Sequence, residues 1–371
     1  MKIPLMDLSF QHREIRGEVR EGFERLMEAG EFVLGPTVAE FENEYAGFCG
    51  VEHCIGVANG TDALELGLRA LEIGAGDEVI LPANTFVASA LAVLRAGARP
   101  VLVDCAEAGT GLDIPGVAER IGPQTRALMG VDLFGELAAQ EDFEALAADA
   151  GIALIEDAAQ AQGARRNGRA AGGFGEIAGT SFYPGKNLGA YGDAGAVTTR
   201  NPELADRVRR LRNYGSEVKY EHPQVGFNSR LDALQAVVLL AKLRRLDAWN
   251  QARRAAAVLY DALLAPLEGV GLPFGNRDEG HVWHIYAIRV AERDRVLAAL
   301  HAEEVGAGIH YPHPIHRLGA FAFLGHGVGD FPRAERAADE MISLPIFPGI
   351  RPEQQERVVA VLAAAVKNGR A

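Results

Sequence analysis

Between residues 52 and 200 the chain alternates short apolar or β-branched runs with helix-patterned stretches, and this alternation restricts the possible folds more than any other feature. The runs are IGVA at 55–58, VILPA at 79–83, PVLVDC at 100–105, ALMGVDLF at 127–134 and IALIEDA at 152–158, followed by GTSFY and by AGAVTT, which ends at Thr199. Alternation of this kind predicts an α/β fold with a mostly parallel sheet, here of seven strands, covered by helices on both faces. Ligands of such sheets sit at the carboxyl ends of the strands. The residues that close each run are therefore the first candidates for chemistry.

Beyond the sheet, residues 230–250 read RLDALQAVVLLAKLRRLDAWN, one long helix pattern whose apolar band is too wide for a single packed side. The stretch APLEGVGLPFGNRDEG at 265–280 suits loops, and HIYAIRV at 284–290 resumes a strand pattern. The expected division is a large domain over residues 13–249 and a smaller C-terminal α/β domain over 250–371, with residues 1–12 packing nearby. A chain of 371 residues, 48% hydrophobic and 23% charged, has core enough for two domains.

No run approaches the roughly 18 apolar residues of a membrane span, and the opening MKIPLMDLSFQHRE lacks a basic segment followed by an apolar one. The expected location is the cytoplasm, with no membrane partner. A net charge of −13 disfavours attraction to nucleic acid. Cys49, Cys54 and Cys105 match neither a zinc site nor a CxxC pair and read as reduced, partly buried thiols.

Three segments carry candidate chemistry. In VANGTD at 57–62 a strand runs through Gly60 into a helix, whose free N–H groups and Thr61 hydroxyl suit a phosphate, although the same residues also make an ordinary turn and N-cap. In IEDAAQ at 155–160 a carboxylate closing an apolar strand suits a protonated ring nitrogen, and equally a helix cap or a solvated strand end. In TSFYPGKNLGAYGDAG at 180–195 Lys186 stands between an apolar strand and a Gly-rich loop. An amine there attacks an aldehyde if its pKa is lowered, whereas most lysines are solvated surface charges. Ser181 offers a hydroxyl to the same phosphate as Thr61.

Taken in order, NGTDAL, NTF at 84–86, EDAAQ, SFYPGKNLGAYGDAG and GFNSRLDALQ at 226–235 resemble the DegT/DnrJ/EryC1/StrS sugar aminotransferases. The resemblance extends from MDL near residue 6 to SLPIFP at 343–348. It implies the aspartate-aminotransferase-like fold type I and pyridoxal 5'-phosphate as cofactor. By the same resemblance Lys186 holds the cofactor as a Schiff base and shuttles the proton, Asp157 pairs with the pyridine nitrogen, Gln160 meets the ring hydroxyl and Phe86 stacks on the ring. Gly60, Thr61 and Ser181 would hold the phosphate together with Asn228 from a neighbouring subunit, which implies a homodimer with shared active sites.

The segment SFYPGKNLGAYGDAGA is similar to that of family enzymes acting at sugar carbon 3, whereas those acting at carbon 4 commonly carry His where this chain has Tyr183. The expected reaction is amination of a dTDP-3-keto-6-deoxyhexose with L-glutamate as donor, for amino-deoxysugar biosynthesis. A UDP-linked 3-keto sugar or a C-4 keto sugar is the enzymatic alternative, and a noncatalytic sensor with the same fold is the alternative of another class. Lys219 and Tyr220 would reach a neighbouring site, and His310 and Tyr311 in HYPHPIH at 310–316 would line the sugar pocket. That stretch holds three histidines without a clear ligand set, so no metal is expected. The arginines at 207–212 read as a solvated helix face.

Overall fold

The computed structural model describes residues 1–106, 111–273, 275 and 278–367, so residues 274, 276 and 277 of the expected loop lie outside the described residues. Two helices, α1 (Ser9–Ala29) and α2 (Pro36–Cys49), precede the first strand, β1 (His53–Val57). There follow α3 (Gly60–Ala70), β2 (Glu78–Pro82), α4 (Val87–Ala96), β3 (Arg99–Val103), α5 (Ile114–Arg120), β4 (Thr125–Val131), α6 (Gln140–Ala150) and β5 (Ala153–Asp157). A two-residue ladder, β6 (Arg165–Arg166) with β7 (Arg169–Ala170), leads into β8 (Ile177–Ser181) and β9 (Gly195–Thr199). Next come α7 (Pro202–Leu211), α8 (Ala233–Leu243), α9 (Leu246–Leu264) and β10 (Val270–Gly271). The last elements are β11 (Tyr286–Val290), α10 (Arg293–Ala302), α11 (Pro332–Glu340), β12 (Met341–Leu344) and α12 (Pro352–Lys367).

All seven expected runs become strands of one sheet, ordered β1-β9-β8-β5-β4-β2-β3. Adjacent strands are parallel except where β9 runs against β8 and β1. Because β9 is reversed, its first residue lies at the same end of the sheet as the last residues of the others. Val57 and Ser181 accordingly both pair with Gly195. The strands are buried almost throughout, as a sheet covered on both faces requires.

The expected helix over residues 230–250 is two helices. The break falls at Arg244 and Arg245, and the Arg245 guanidinium donates to the Ala241 carbonyl at 2.8 Å, satisfying an oxygen at the end of α8. Arg244 beside it reaches the carboxylates of Glu18, Glu40 and Glu44 on α1 and α2. The two-sided packing is present. Val237 and Leu240 join Val38 and Phe41 of α2, while Val238 and Ala241 join Ile15 and Val19 of α1.

The arginines of α7 depart from a uniformly solvated face. Arg209 pairs with Asp206 at the surface, whereas Arg212, just past the helix, is buried and donates to the Gly56 carbonyl and to Glu42. The three cysteines are free and fully buried rather than partly so.

Beyond α9, the sheet β10-β11-β12 packs with α9, α10 and α12 around Trp283, Tyr286, Val296 and Leu362. Ile3 is part of this core, its N–H donating to Glu304 at 3.0 Å and its carbonyl accepting from Gly306 at 2.7 Å. No helix among the described residues is long and apolar enough to cross a membrane.

Candidate active site

A cavity of about 470 Å³ opens at the carboxyl end of the large sheet. Lys186, Asp157, Gly60, Thr61, Phe86, Gln160, Ser181, Tyr183, His310 and Tyr311 all line it. Ten of the expected residues thus converge from segments far apart in the chain.

The anion cradle is made by close backbone packing. A Cβ at Gly60 would fall 2.6 Å from the Ser181 Cβ, and one at Gly195 would fall 2.4 Å from the carbonyl carbon of Asn59, so both positions require glycine. Asn59 caps α3 by accepting from the Asp62 N–H at 2.8 Å, and its carbonyl accepts from Ala63. The N–H groups of Gly60 and Thr61, at the helix start, have no acceptor within the helix. They leave a positive helix end beside the Ser181 hydroxyl.

Alternation along β5 separates its two acids. Glu156 turns away and is buried, accepting from the Gly172 and Phe174 N–H groups at 2.9 Å each, a structural role. Asp157 turns toward the cavity, where Oδ2 accepts from Ser89 at 2.7 Å and Oδ1 from the Ala159 N–H at 3.2 Å. Burial pushes its pKa up, while these hydrogen bonds and the charge of Lys186 pull it down.

Lys186 ends a turn in which its N–H donates to the Tyr183 carbonyl at 2.8 Å. The turn is held on both sides. Phe182, fully buried, packs edge-on against Phe41 and Tyr45, and Asn187 donates to Asn250 at 2.9 Å and to the Val282 carbonyl at 3.0 Å. The buried Lys242 donates to the Gly189 carbonyl at 2.6 Å. Burial lowers the Lys186 amine from its usual 10.5 to about 8, against the opposing pull of Asp157. About one amine in ten is then neutral at pH 7, against fewer than about one in a thousand for an ordinary lysine.

Two imidazoles share this wall. His310, lowered to about 4 by burial and by the Lys186 charge, bonds Ser343 at 2.8 Å, and His284 is lowered for the same leading reason and meets Asn187 at 3.1 Å. Both are neutral at pH 7. Gln160 accepts from the Phe134 N–H at 2.7 Å and donates to the Tyr311 hydroxyl at 2.9 Å, and the Tyr311 ring lies 5.1 Å from that of Phe86.

Asn228, Lys219 and Tyr220 do not line this chain's own cavity. All three are exposed, Tyr220 at 82%, on the segment that follows α7. Reading the sequence alone misses Thr85, Ser89 and His284, which line the cavity. Ser89 lies three residues beyond the NTF motif and four beyond Thr85, about one helical turn, and that spacing is the available signal.

A carbonyl-reactive amine, a buried carboxylate and a helix-end anion cradle at the edge of a mostly parallel sheet are the parts that suit a phosphorylated aldehyde cofactor. The chain belongs to the DegT/DnrJ/EryC1/StrS aminotransferase family, whose model matches residues 13–363. It is 45% identical over 358 residues to a dTDP-3-amino-3,4,6-trideoxy-alpha-D-glucose transaminase of Streptomyces venezuelae, covering 96% of this chain and 94% of that one. It is 44% identical over 360 residues to a UDP-N-acetyl-3-dehydro-alpha-D-glucosamine 3-aminotransferase of Acidithiobacillus ferrooxidans, with 97% of each chain covered. The crystal structure of S. venezuelae DesV in complex with a ketimine intermediate superposes with a TM-score of 0.96, at 44% identity and 99% coverage of both chains.

The chain is therefore an aminotransferase of fold type I, and its cofactor is pyridoxal 5'-phosphate. The residues present fit that group. The cradle at Gly60 and Gly195 leaves no room for side chains, and Asp157 presents a buried acid beside a lysine of lowered pKa.

Proposed function

We propose that this enzyme transfers the amino group of L-glutamate to the C-3 ketone of a dTDP-3-keto-6-deoxyhexose, in amino-deoxysugar biosynthesis. The observation that carries the reading is the buried Lys186–Asp157 site in a chain 45% identical to a dTDP-3-amino sugar transaminase. Tyr183 at the cavity mouth, where carbon-4 enzymes commonly have His, supports the same keto position.

Pyridoxal phosphate supplies an aldehyde for exchange with amines and a ring that accepts electrons. In this reading Lys186 Nζ would hold the cofactor and, once released, would carry a proton between the substrate carbon and the cofactor, in one direction with the amino donor and in the other with the keto acceptor. A pKa of about 8 suits both duties, since the amine is neither permanently charged nor a weak proton acceptor at neutral pH. Asp157 holds a negative charge toward the ring nitrogen. Gly60, Thr61 and Ser181 would hold the phosphate, Phe86 would stack on the ring, and Gln160 would meet the ring hydroxyl.

Tyr183, His310 and Tyr311 contact the sugar. Asn228 of the partner subunit would complete the phosphate site, Lys219 of the partner subunit would meet the pyrophosphate, and Tyr220 of the partner subunit would meet the sugar or the base. A homodimer with shared sites, a cytoplasmic location and a division into domains at 13–249 and 250–371, with residues 1–12 beside the second, belong to the same proposal.

A UDP-linked 3-keto sugar is the second reading, favoured by the 44% identity to the UDP-sugar enzyme. Run in reverse, the enzyme consumes an amino sugar and 2-oxoglutarate. A panel of dTDP- and UDP-linked 3-amino and 4-amino sugars, assayed for glutamate formation, should give the highest kcat/KM with a dTDP-linked 3-amino-6-deoxy sugar. Preference for a UDP-linked sugar would reverse the choice of nucleotide, and preference for 4-amino substrates would sink the C-3 assignment.

A further inference from the structure

The start of α4 holds a hydroxyl chain directed at Asp157. Ser89, the third residue of the helix, donates to Asp157 Oδ2 at 2.7 Å, and the Thr85 hydroxyl lies 2.8 Å from the Ser89 oxygen. The spacing of four residues brings both hydroxyls to one side of the helix start. Both side chains are buried, at 2% and 1% exposure, yet both line the cavity. With the Ser89 proton engaged by the carboxylate, the Thr85 proton completes the contact to Ser89. The chain thus runs in one direction, from Thr85 through Ser89 to a charged acceptor.

We propose that Ser89, supported by Thr85, is a positioning residue that fixes the Asp157 carboxylate and holds its negative charge toward the ring nitrogen of the cofactor. The inference rests on the role given to Asp157 above. Carboxylates buried this deeply lose hydration, and here a hydroxyl and one backbone N–H, from Ala159, replace the lost water. The positive end of α4 acts in the same sense. Phe86, the residue before the same helix, faces the cavity as well, so one helical turn sets both the ring's stacking surface and the orientation of its counter-charge.

The test compares two probes by equilibrium dialysis of the cofactor-free enzyme: pyridoxal phosphate and its 1-deaza analogue, in which carbon replaces the ring nitrogen. Wild type should bind pyridoxal phosphate more tightly than the analogue. Ser89→Ala should narrow that preference about tenfold, the scale of losing one hydrogen bond to a charged group, with analogue affinity changed less than about threefold. Ser89→Thr, which keeps the hydroxyl, should restore the preference, and Thr85→Val should narrow it less than Ser89→Ala does.

If Ser89→Ala weakens both probes equally, Ser89 is only a packing residue and the proposal is wrong. If wild type itself shows no preference between the probes, the pairing of Asp157 with the ring nitrogen fails first and takes this inference with it. The two failures are thereby distinguishable.

Discussion

Holding Lys186 in its site costs the protein stability, and the cost can be measured without any cofactor. Burial lowers the amine from 10.5 to about 8, which at about 1.4 kcal/mol per pH unit corresponds to about 3 kcal/mol against the charged form. Between pH 8 and 10.5 the unfolded chain binds this proton and the folded chain does not, so stability rises with pH through that window. Below pH 8 both states carry the charge and the full penalty is present. Lys186→Met keeps the length and removes the charge. The cofactor-free variant should therefore be about 3 kcal/mol more stable than wild type at pH 7, because the lowered value already includes the opposing attraction to Asp157. Urea denaturation at pH 7 and at pH 10 measures this directly, and the advantage should shrink at the higher pH. A variant no more stable than wild type at pH 7, or an advantage independent of pH, would refute the claim that the amine is held in a desolvated site.

Asp157→Asn should keep the cofactor but slow the half-reaction with L-glutamate by at least about a hundredfold, the scale of removing a charge from a reacting centre, as read by stopped-flow absorbance. Gly195→Ala should destabilise the fold by about 1–3 kcal/mol, because the new Cβ would meet the Asn59 backbone at 2.4 Å, and should weaken cofactor binding; denaturation and dialysis would check the two effects. Phe86→Ala should raise the dissociation constant for the cofactor by about three- to tenfold, the worth of one aromatic contact, with kcat less affected. An unchanged dissociation constant would remove Phe86 from the ring site.

The large sheet is legible because each of its strands is buried on both faces and so reads as a short unbroken apolar run. The order of strands is not, since pairing depends on contacts between segments that sequence does not connect. Lys186 and Asp157 stand out through the residues around them, and the alternation of β5 explains why Asp157 faces the cavity while its neighbour Glu156 binds backbone. Ser89 and Thr85 stay hidden because Ser and Thr near a helix start ordinarily serve as caps. His284 arrives from the strand region beyond α9, far along the chain, and a lone histidine carries no signal of what it will face. The break between α8 and α9 rests on side-chain bonds of Arg244 and Arg245, two good helix formers whose propensity points the other way.

Amino-group transfer in this enzyme should depend on Lys186. The most direct measurement is the yield of 2-oxoglutarate when cofactor-loaded enzyme meets L-glutamate in the absence of any acceptor, for wild type and for Lys186→Ala. Wild type should release one equivalent per cofactor site, and the variant none on the same timescale. No release from loaded wild type, or equal release from both, would contradict it.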